Sequence, residues 1–146
     1  MTKQSYIPSV YHSVTPYLTV QGVEQLIDFL KQVFDAQERE RITRPDGTIG
    51  HAEVRIDGSV VMLSEASDDW KPMPSALYVY VPDTDATYQR ALQAGATSLM
   101  EPADQFYGDR NAGVRDPSGN HWWISTSFED IPPEELQQRA DAAMPR

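Results

Sequence analysis

The sequence predicts an α+β fold built from two βαβββ repeats, and two features of the chain support this prediction. The first is the segment Asp116-Pro117-Ser118-Gly119-Asn120, which favours a tight turn and is followed by aromatic and branched residues typical of a strand. The earlier segment 57–63 has the same layout. The second feature is an internal repeat, because one shift that places Gly58 on Gly119 also places the strand-like segment 15–20 on 76–81. Matching elements in the same order indicate two similar units.

Each half begins with a strand that is followed by a helix. In the first half, apolar residues recur at helical spacing from Val23 to Phe34. In the second half, Asp83 or Thr84 caps the start of the helix, and Gly95 fits its end. Three extended segments then complete each repeat. They span 37–44, 49–56 and 59–65 in the first half, and 97–104, 109–116 and 120–127 in the second.

These elements predict a single domain over residues 1–146, since neither repeat buries its apolar face alone. Its parts are a repeat unit at 14–65, a linker at 66–74, a repeat unit at 75–127 and a tail at 128–146. The linker is rich in Pro and acidic residues, which is typical of a loop. The sequence of the tail predicts a short helix whose role is packing rather than catalysis.

Charge and composition exclude several classes of partner. The chain has 12 Lys and Arg against 22 Asp and Glu, which gives a net charge of −10 at pH 7. This argues against nucleic acid and anionic membranes, since both are bound through basic residues. Long-range attraction favours a cationic ligand, although acidity that only keeps the protein soluble is the simpler alternative.

We also expect no targeting signal in this chain. No apolar run approaches the roughly 20 residues that cross a bilayer. The N-terminal residues 1–5 do not form the apolar core of a signal peptide, and the chain has no Cys for disulfides, thiolate metal sites or nucleophiles. We therefore expect a cytoplasmic protein that has no membrane association.

Four segments carry a resemblance to a known family. They are His51-Ala52-Glu53, Val61-Met62-Leu63-Ser64-Glu65, Tyr107-Gly108-Asp109-Arg110 and Asp116-Pro117-Ser118-Gly119-Asn120-His121-Trp122. Together with the two βαβββ units, they resemble the vicinal oxygen chelate superfamily of glyoxalases, bleomycin resistance proteins and dioxygenases, and most of all its PhnB-like branch. The resemblance covers about 14–127. It implies sheets that form a curved half-barrel around a cavity with the helices outside, and it implies a homodimer.

The resemblance also implies where a metal ion would bind. Metal enzymes of this superfamily take one ligand, usually His or Glu, from the first and last strand of each unit. The residues at those positions here are Thr15, Met62, Ala76 and Trp123. Thr is a poor ligand, a thioether does not suit hard metals, and Ala and Trp cannot ligate. We therefore expect no metal and no other cofactor, with a displaced site at His51, Glu53, Glu65 and His121 as the alternative.

Strand alternation in the implied fold separates core residues from cavity residues. The predicted core positions are Leu18, Val20, Ala52, Val54, Ile56, Val61, Leu63, Leu77, Val79, Val81, Trp122 and Ile124. The predicted ligand-binding residues are Tyr17, His51, Glu53, Met62, Trp70, Tyr78, Tyr80, Tyr107, Arg110, His121 and Trp123. Core packing is the alternative role for each aromatic side chain. For Arg110 the alternative is a structural ion pair with Asp109, Asp116 or Glu101.

Two functions follow from these residues. The favoured one is a metal-free protein that binds a small aromatic or cationic organic compound in the cavity, because aromatic and mixed-charge side chains suit such a ligand. The alternative is a glyoxalase-type enzyme, a lyase, isomerase or dioxygenase, that uses a displaced metal or His51 and Glu53 as an acid–base pair. A third, plainer interpretation is a scaffold whose partner is its own copy.

Overall fold

The computed structural model describes residues 6–144, and the chain within that range divides into two compact units. The first unit ends at Ser75 and the second begins at Ala76. Residues 1–5, on which the signal-peptide expectation rests, lie outside the described range. That the two units form a single domain stays a prediction.

The first unit is a four-stranded sheet with one helix. Its elements are β1 (Tyr17–Val20), α1 (Val23–Phe34), β2 (Gln37–Thr43), β3 (Ile49–Ile56) and β4 (Ser59–Glu65). The strand order is β1-β4-β3-β2, in which β1 runs parallel to β4 and the other neighbours are antiparallel. The parallel pair requires a crossover connection, and this connection contains α1.

The second unit repeats this architecture and adds a helix. Its elements are β5 (Ala76–Tyr80), α2 (Thr84–Gln93), β6 (Thr97–Asp104), β7 (Asp109–Arg115), β8 (His121–Ser127) and α3 (Pro133–Ala143). The strand order is β5-β8-β7-β6, with β5 parallel to β8. Tyr17 pairs with Met62 in the first unit, and Tyr78 pairs with Trp123 in the second. The shift that places Gly58 on Gly119 also places Tyr17 on Tyr78 and Met62 on Trp123, so the two units pair their strands in the same register. The predicted α+β fold of two βαβββ repeats is confirmed.

The core of the first unit lies between its sheet and α1. Seven apolar residues of α1 are buried, and Leu18, Ala52 and Leu63 of the strands are at most 1% exposed. The helix begins after Gly22, whose φ of 90° favours a residue without Cβ. The Glu65 carboxylate accepts hydrogen bonds from the N–H groups of Gly22 at 2.9 Å and Val23 at 3.1 Å. Glu65 therefore stabilises the positive end of the helix.

The core of the second unit is anchored by the turn at residues 116–120. The Asp116 carboxylate accepts hydrogen bonds from Ser118 N–H at 2.8 Å and from Asn120 N–H at 3.0 Å. It also accepts from the buried indole N–H of Trp122 at 2.7 Å. The turn therefore holds the largest core side chain of the second unit. The predicted core positions are buried, except that Leu77, Val79 and Val81 are half-buried.

The helices match their predicted boundaries. The Asp83 side chain accepts a hydrogen bond from Ala86 N–H at 3.1 Å, which confirms the predicted cap of α2. The tail helix α3 buries none of its residues. Along residues 6–144, every helix is too short or too polar to cross a membrane.

The close packing of Trp123 on Gly113 yields a stability prediction. These residues face each other on β7 and β8, and a Cβ added at Gly113 would lie 2.6 Å from Trp123 Cε3. We expect Gly113→Ala to lower the free energy of unfolding by about 1–3 kcal/mol, because the indole must move. Urea denaturation provides the measurement.

Gly58→Ala is the matched control, since nothing lies within 4 Å of its added Cβ. It should change stability by less than about 0.5 kcal/mol. In a Trp123→Ala background the Gly113→Ala cost should disappear. An equal cost in both backgrounds would contradict the packing explanation.

Candidate functional site

A pocket of about 380 Å³ lies in the first unit. Its lining residues are Tyr17, Thr19, Ser64, Trp70 and Met73. Thr19 and Ser64 are paired neighbours on β1 and β4, so the strands bring two hydroxyl groups to one face. The other walls are large apolar side chains.

The segment after β4 closes this pocket on one side. The Met73 N–H donates to the Thr19 carbonyl oxygen at 3.0 Å, and the two residues form an antiparallel bridge. A turn holds Trp70, whose N–H donates to Ser67 Oγ at 3.2 Å and whose carbonyl oxygen accepts from the Ser67 N–H at 2.9 Å. The predicted linker is therefore a structured wall of the pocket.

The walls of the pocket expose a large apolar surface. Trp70 is 74% exposed, Met73 69% and Tyr17 54%. A single exposed apolar side chain is ordinary, but three around one concavity make this pocket a candidate binding surface. The sequence predicted Tyr17 and Trp70 as ligand-binding residues, and the structure brings these two together. Met73 was not predicted, since a Met in a Pro-rich linker carries no sequence signal.

A buried carboxylate lies beside this pocket. Glu53 of β3 is 2% exposed, and its two oxygens accept hydrogen bonds from the Tyr11 hydroxyl at 2.7 and 2.8 Å. The Arg39 guanidinium forms an ion pair with Glu53 Oε1, and His51 Nε2 lies 2.8 Å from Oε2. The Tyr17 ring, with its centroid 6.1 Å from that of His51, connects this group of residues to the pocket.

The partners of Glu53 decide its ionisation. Burial acts to raise the pKa of the Glu53 carboxyl, but the hydrogen bonds from His51, Tyr11 and Arg39 outweigh burial, and the pKa falls below its usual value. The hydrogen bond to Glu53 is the main cause of a raised pKa of the Tyr11 phenol. Glu53 is therefore ionised at neutral pH and is a weak base. Through its contact with Nε2, the Glu53 carboxylate fixes the orientation of the His51 ring.

The second unit contains a different polar group. The Tyr78 hydroxyl donates to Asp109 Oδ2 at 2.7 Å and accepts from Ser125 Oγ at 2.6 Å. The Tyr80 hydroxyl makes a longer contact to the same carboxylate oxygen, at 3.4 Å. Burial is the largest cause of a raised pKa of Tyr78, and the hydrogen bond to Asp109 adds to it. Tyr78 and Tyr80 were both predicted, and the structure brings them together.

The other predicted residues occupy separate positions. Arg110 forms ion pairs with Asp85 at 2.8 Å and Asp104 at 3.1 Å, so a structural ion pair exists but its partners differ from the three candidates. His121 begins β8 opposite Ala76. Tyr107 lies in the loop before β7 and makes an edge-to-face contact with Phe106 at 5.2 Å. Met62 lies between Tyr17 and Glu53 on the neighbouring strands.

Sequence reasoning missed Tyr11 and Arg39. Tyr11 precedes the first strand and belongs to no periodic pattern. Arg39 lies at a register shift between Glu38 and Glu40, where strand alternation no longer predicts the direction of a side chain. Asp109 was considered only as an ion-pair partner of Arg110. The one sequence signal for it was its place at the start of a predicted strand, two residues after Tyr107.

The family's metal positions do not suit a metal ion here. In the first unit, Thr15 precedes β1 and its hydroxyl donates to the His12 carbonyl oxygen at 3.2 Å, while the partner position holds the thioether of Met62. In the second unit, the positions hold Ala76 and the indole of Trp123. This donor set does not fit a hard divalent metal.

The alternative metal site, at His51, Glu53, Glu65 and His121, is weakened by the positions of its first-unit residues. Glu65 binds the start of α1 on the helix side of the sheet, whereas His51 and Glu53 lie on the other face. Across residues 6–144, His, Asp and Glu side chains do not gather in threes as a metal site requires.

The fold and the site define the class of protein. Residues 11–124 match the model of the Glyoxalase/Bleomycin resistance protein/Dioxygenase superfamily, so the chain belongs to this superfamily. Mb0911c, an uncharacterized protein of Mycobacterium bovis, is 36% identical over 143 residues, which cover 88% of this chain and 92% of that protein.

Two solved structures share the fold. TioX from Micromonospora sp. ML1 is 23% identical with a TM-score of 0.63, over 80% of this chain and 100% of TioX. The PhnB protein from Bacillus cereus, described as a putative 3-demethylubiquinone-9 3-methyltransferase, is 17% identical with a TM-score of 0.63, over 80% of this chain and 100% of that one. At these identities the likeness shows the fold alone.

The buried Glu53 makes a pH-dependent contribution to stability. Replacing Glu53 by Gln leaves the Arg39 guanidinium without its buried partner, and we expect a loss of about 2–3 kcal/mol in the free energy of unfolding at pH 7. Because the folded-state pKa of Glu53 is lowered, its contribution is present above the ordinary Glu pKa and is lost as the pH falls through the folded value. Denaturation from pH 7 to pH 3 measures the difference.

Glu40→Gln is the control, since this carboxylate is exposed and lies 3.7 Å from the same guanidinium. It should cost less than about 0.5 kcal/mol. A cost for Glu53→Gln that does not shrink at acidic pH would contradict the ion-pair explanation.

Proposed function

We propose that this protein binds a small, flat aromatic compound in the pocket of the first unit, without a metal ion. The observation that supports this best is the composition of the pocket: Tyr17, Trp70 and Met73 form the walls, and the hydroxyl groups of Thr19 and Ser64 lie between them. Binding sites for small molecules are typically apolar concavities with a few polar groups that orient the ligand.

The size and chemistry of the walls suit one or two rings. A volume of about 380 Å³ falls in the range of small-molecule sites. The Trp70 and Tyr17 rings offer faces for stacking, and the flexible thioether of Met73 adapts to the ligand's shape. The two hydroxyls accept or donate hydrogen bonds to a polar substituent.

Local charge favours an aromatic over a cationic ligand in this pocket. Arg44 Nη2 lies 3.5 Å from the Ser64 hydroxyl and donates to the Glu65 carbonyl oxygen at 2.8 Å. The nearby carboxylate of Glu53 is already paired with Arg39. The net charge of −10 attracts cations only at long range, and salt screens that attraction. Of the two predicted kinds of ligand, aromatic and cationic, we therefore assign the aromatic compound to this pocket.

Replacing Trp70 tests the binding function. Trp70 is 74% exposed, so Trp70→Ala should leave the fold intact while removing the largest wall of the pocket. We expect affinity for flat aromatic compounds to fall at least about tenfold. Calorimetric titration with a panel of neutral, anionic and cationic bicyclic aromatics provides the measurement.

Phe128→Ala is the matched control, because Phe128 is an exposed aromatic residue of the second unit, at 54% exposure, and lines a different pocket. Its variant should bind as the unaltered protein does. If no compound in the panel binds, or if Trp70→Ala binds equally well, the proposal is wrong.

A second candidate function rests on the geometry of His51. Its Nε2 lies 2.8 Å from a carboxylate that Tyr11 and Arg39 hold in place, and its ring neighbours the pocket wall at Tyr17. A fixed carboxylate orients an imidazole for proton transfer, as in general acid–base catalysis. We propose as the alternative that His51 transfers a proton to or from a compound bound in the pocket, in an isomerase or lyase reaction.

This alternative predicts a catalytic dependence on His51. If a carbonyl compound with an acidic C–H bond is turned over, His51→Ala should lower kcat by at least about 100-fold while thermal stability is largely kept. His12→Ala is the control, since His12 is exposed and only its backbone oxygen takes part in a described hydrogen bond. Turnover that survives in His51→Ala contradicts this mechanism.

Two further expectations remain proposals. Homodimer formation and a cytoplasmic location both come from the sequence and the family resemblance. The absence of a cofactor is likewise a proposal, supported by the unsuited side chains at the family's metal positions.

A further inference from the structure

The second unit places a buried carboxylate beneath exposed tyrosine rings. Asp109 is 7% exposed and begins β7, whereas Tyr78 and Tyr80 on β5 are 44% and 65% exposed. Both phenol hydroxyls point to one oxygen of this carboxylate, Oδ2. Their ring centroids lie 5.3 Å apart with an interplanar angle of 58°, so the two rings form a corner rather than a stack.

A chain of hydrogen bonds holds the Tyr78 hydroxyl and the Asp109 carboxylate in place. Asn111 Nδ2 donates to Ser125 Oγ at 2.5 Å, and Ser125 Oγ donates to the Tyr78 hydroxyl at 2.6 Å. Tyr78 in turn donates to Asp109 at 2.7 Å. Asn111 and Ser125 are themselves buried, which shields the hydrogen bond between them from solvent.

The negative charge of Asp109 has no cationic partner in the described part of the chain. No Lys or Arg among residues 6–144 lies within ion-pair distance of it, and the adjacent Arg110 binds Asp85 and Asp104 instead. The described hydrogen bonds to this carboxylate all reach Oδ2, which leaves Oδ1 available. The first unit differs, because its buried Glu53 is neutralised by Arg39.

A third tyrosine lies close to this corner. Tyr107 lies near enough to Tyr78 and Tyr80 to contribute, after burial and Asp109, to the raised pKa of both phenols. Tyr107 is two residues before Asp109, in the loop that leads into β7. Two phenol rings, with a third nearby, and a carboxylate that has no cationic partner among residues 6–144 thus occupy one region of the second unit.

We infer that this tyrosine corner, defined by Tyr78, Tyr80 and Asp109, is a second binding site that takes a small organic ammonium compound. The faces of electron-rich rings attract a cation, and a carboxylate at their base supplies the balancing charge. A neutral ligand of the same shape gains neither interaction. The site rests on residues of the second unit alone.

The test compares choline with 3,3-dimethylbutan-1-ol, which has the same shape but no charge. Titrations of the full chain are followed by NMR of the Tyr and Trp side chains. We expect saturable binding of choline, at least about tenfold tighter than binding of the alcohol, with shifts at Tyr78 and Tyr80.

Two variants identify the groups responsible. Asp109→Asn keeps an acceptor for Tyr78 but removes the charge, and should weaken choline binding about tenfold or more. Asp141→Asn removes an equal charge from the exposed face of α3 and should have no effect. Tyr80→Leu removes an exposed ring, so it tests the aromatic contribution even if Asp109→Asn does not fold.

Three results would overturn the inference. The first is the absence of saturable choline binding. The second is equal binding of choline and the uncharged alcohol. The third is unchanged choline affinity in both Asp109→Asn and Tyr80→Leu. Because Trp70 takes no part in this test, none of these results bears on the pocket of the first unit.

Discussion

The structure of each unit depends on the parallel pairing of its first strand with its last. This pairing sets Tyr17 beside Met62 and Tyr78 beside Trp123, and the helix that connects the strands covers the opposite face. Since side chains alternate along a strand, a slip of one residue would exchange Tyr17 for the buried Leu18. The register therefore decides which residues form the core and which lie on the opposite face of the sheet.

The same framework carries different chemistry in the two units. In the first, the residue opposite Met62 is Glu53, whose charge is balanced by Arg39 and held by Tyr11. In the second, the residue opposite Trp123 is Gly113, and the indole fills the space where a side chain would lie. In the second unit the buried carboxylate is that of Asp109, at a different position in the sheet. Its hydrogen-bond partners are tyrosines, whereas Glu53 is paired with an arginine. Repetition of a fold therefore does not repeat a site.

Much of the fold follows from local sequence signals. The Asp116 turn, the Asp83 cap and the apolar spacing of α1 are all determined within a few residues, so the predicted segments agree with the strands and helices to within a residue or two. The site was predicted in part. Tyr17, Trp70 and the His51–Glu53 pair were found from strand alternation and residue type. Arg39 was missed, because a register shift in β2 redirects its side chain.

By itself, the sequence determined the repeat, the α+β class, the family and the unsuited side chains at the metal positions, because these depend on residue type and short spacing. Only the tertiary structure decided which charges meet. Arg39 and Glu53 are 14 residues apart in the chain, and Tyr11 is 42 residues from Glu53, yet all three meet at one carboxylate. Asp109 meets Tyr78 across 31 residues. Strand pairing creates such contacts between distant residues, and no local pattern along the chain encodes the partner.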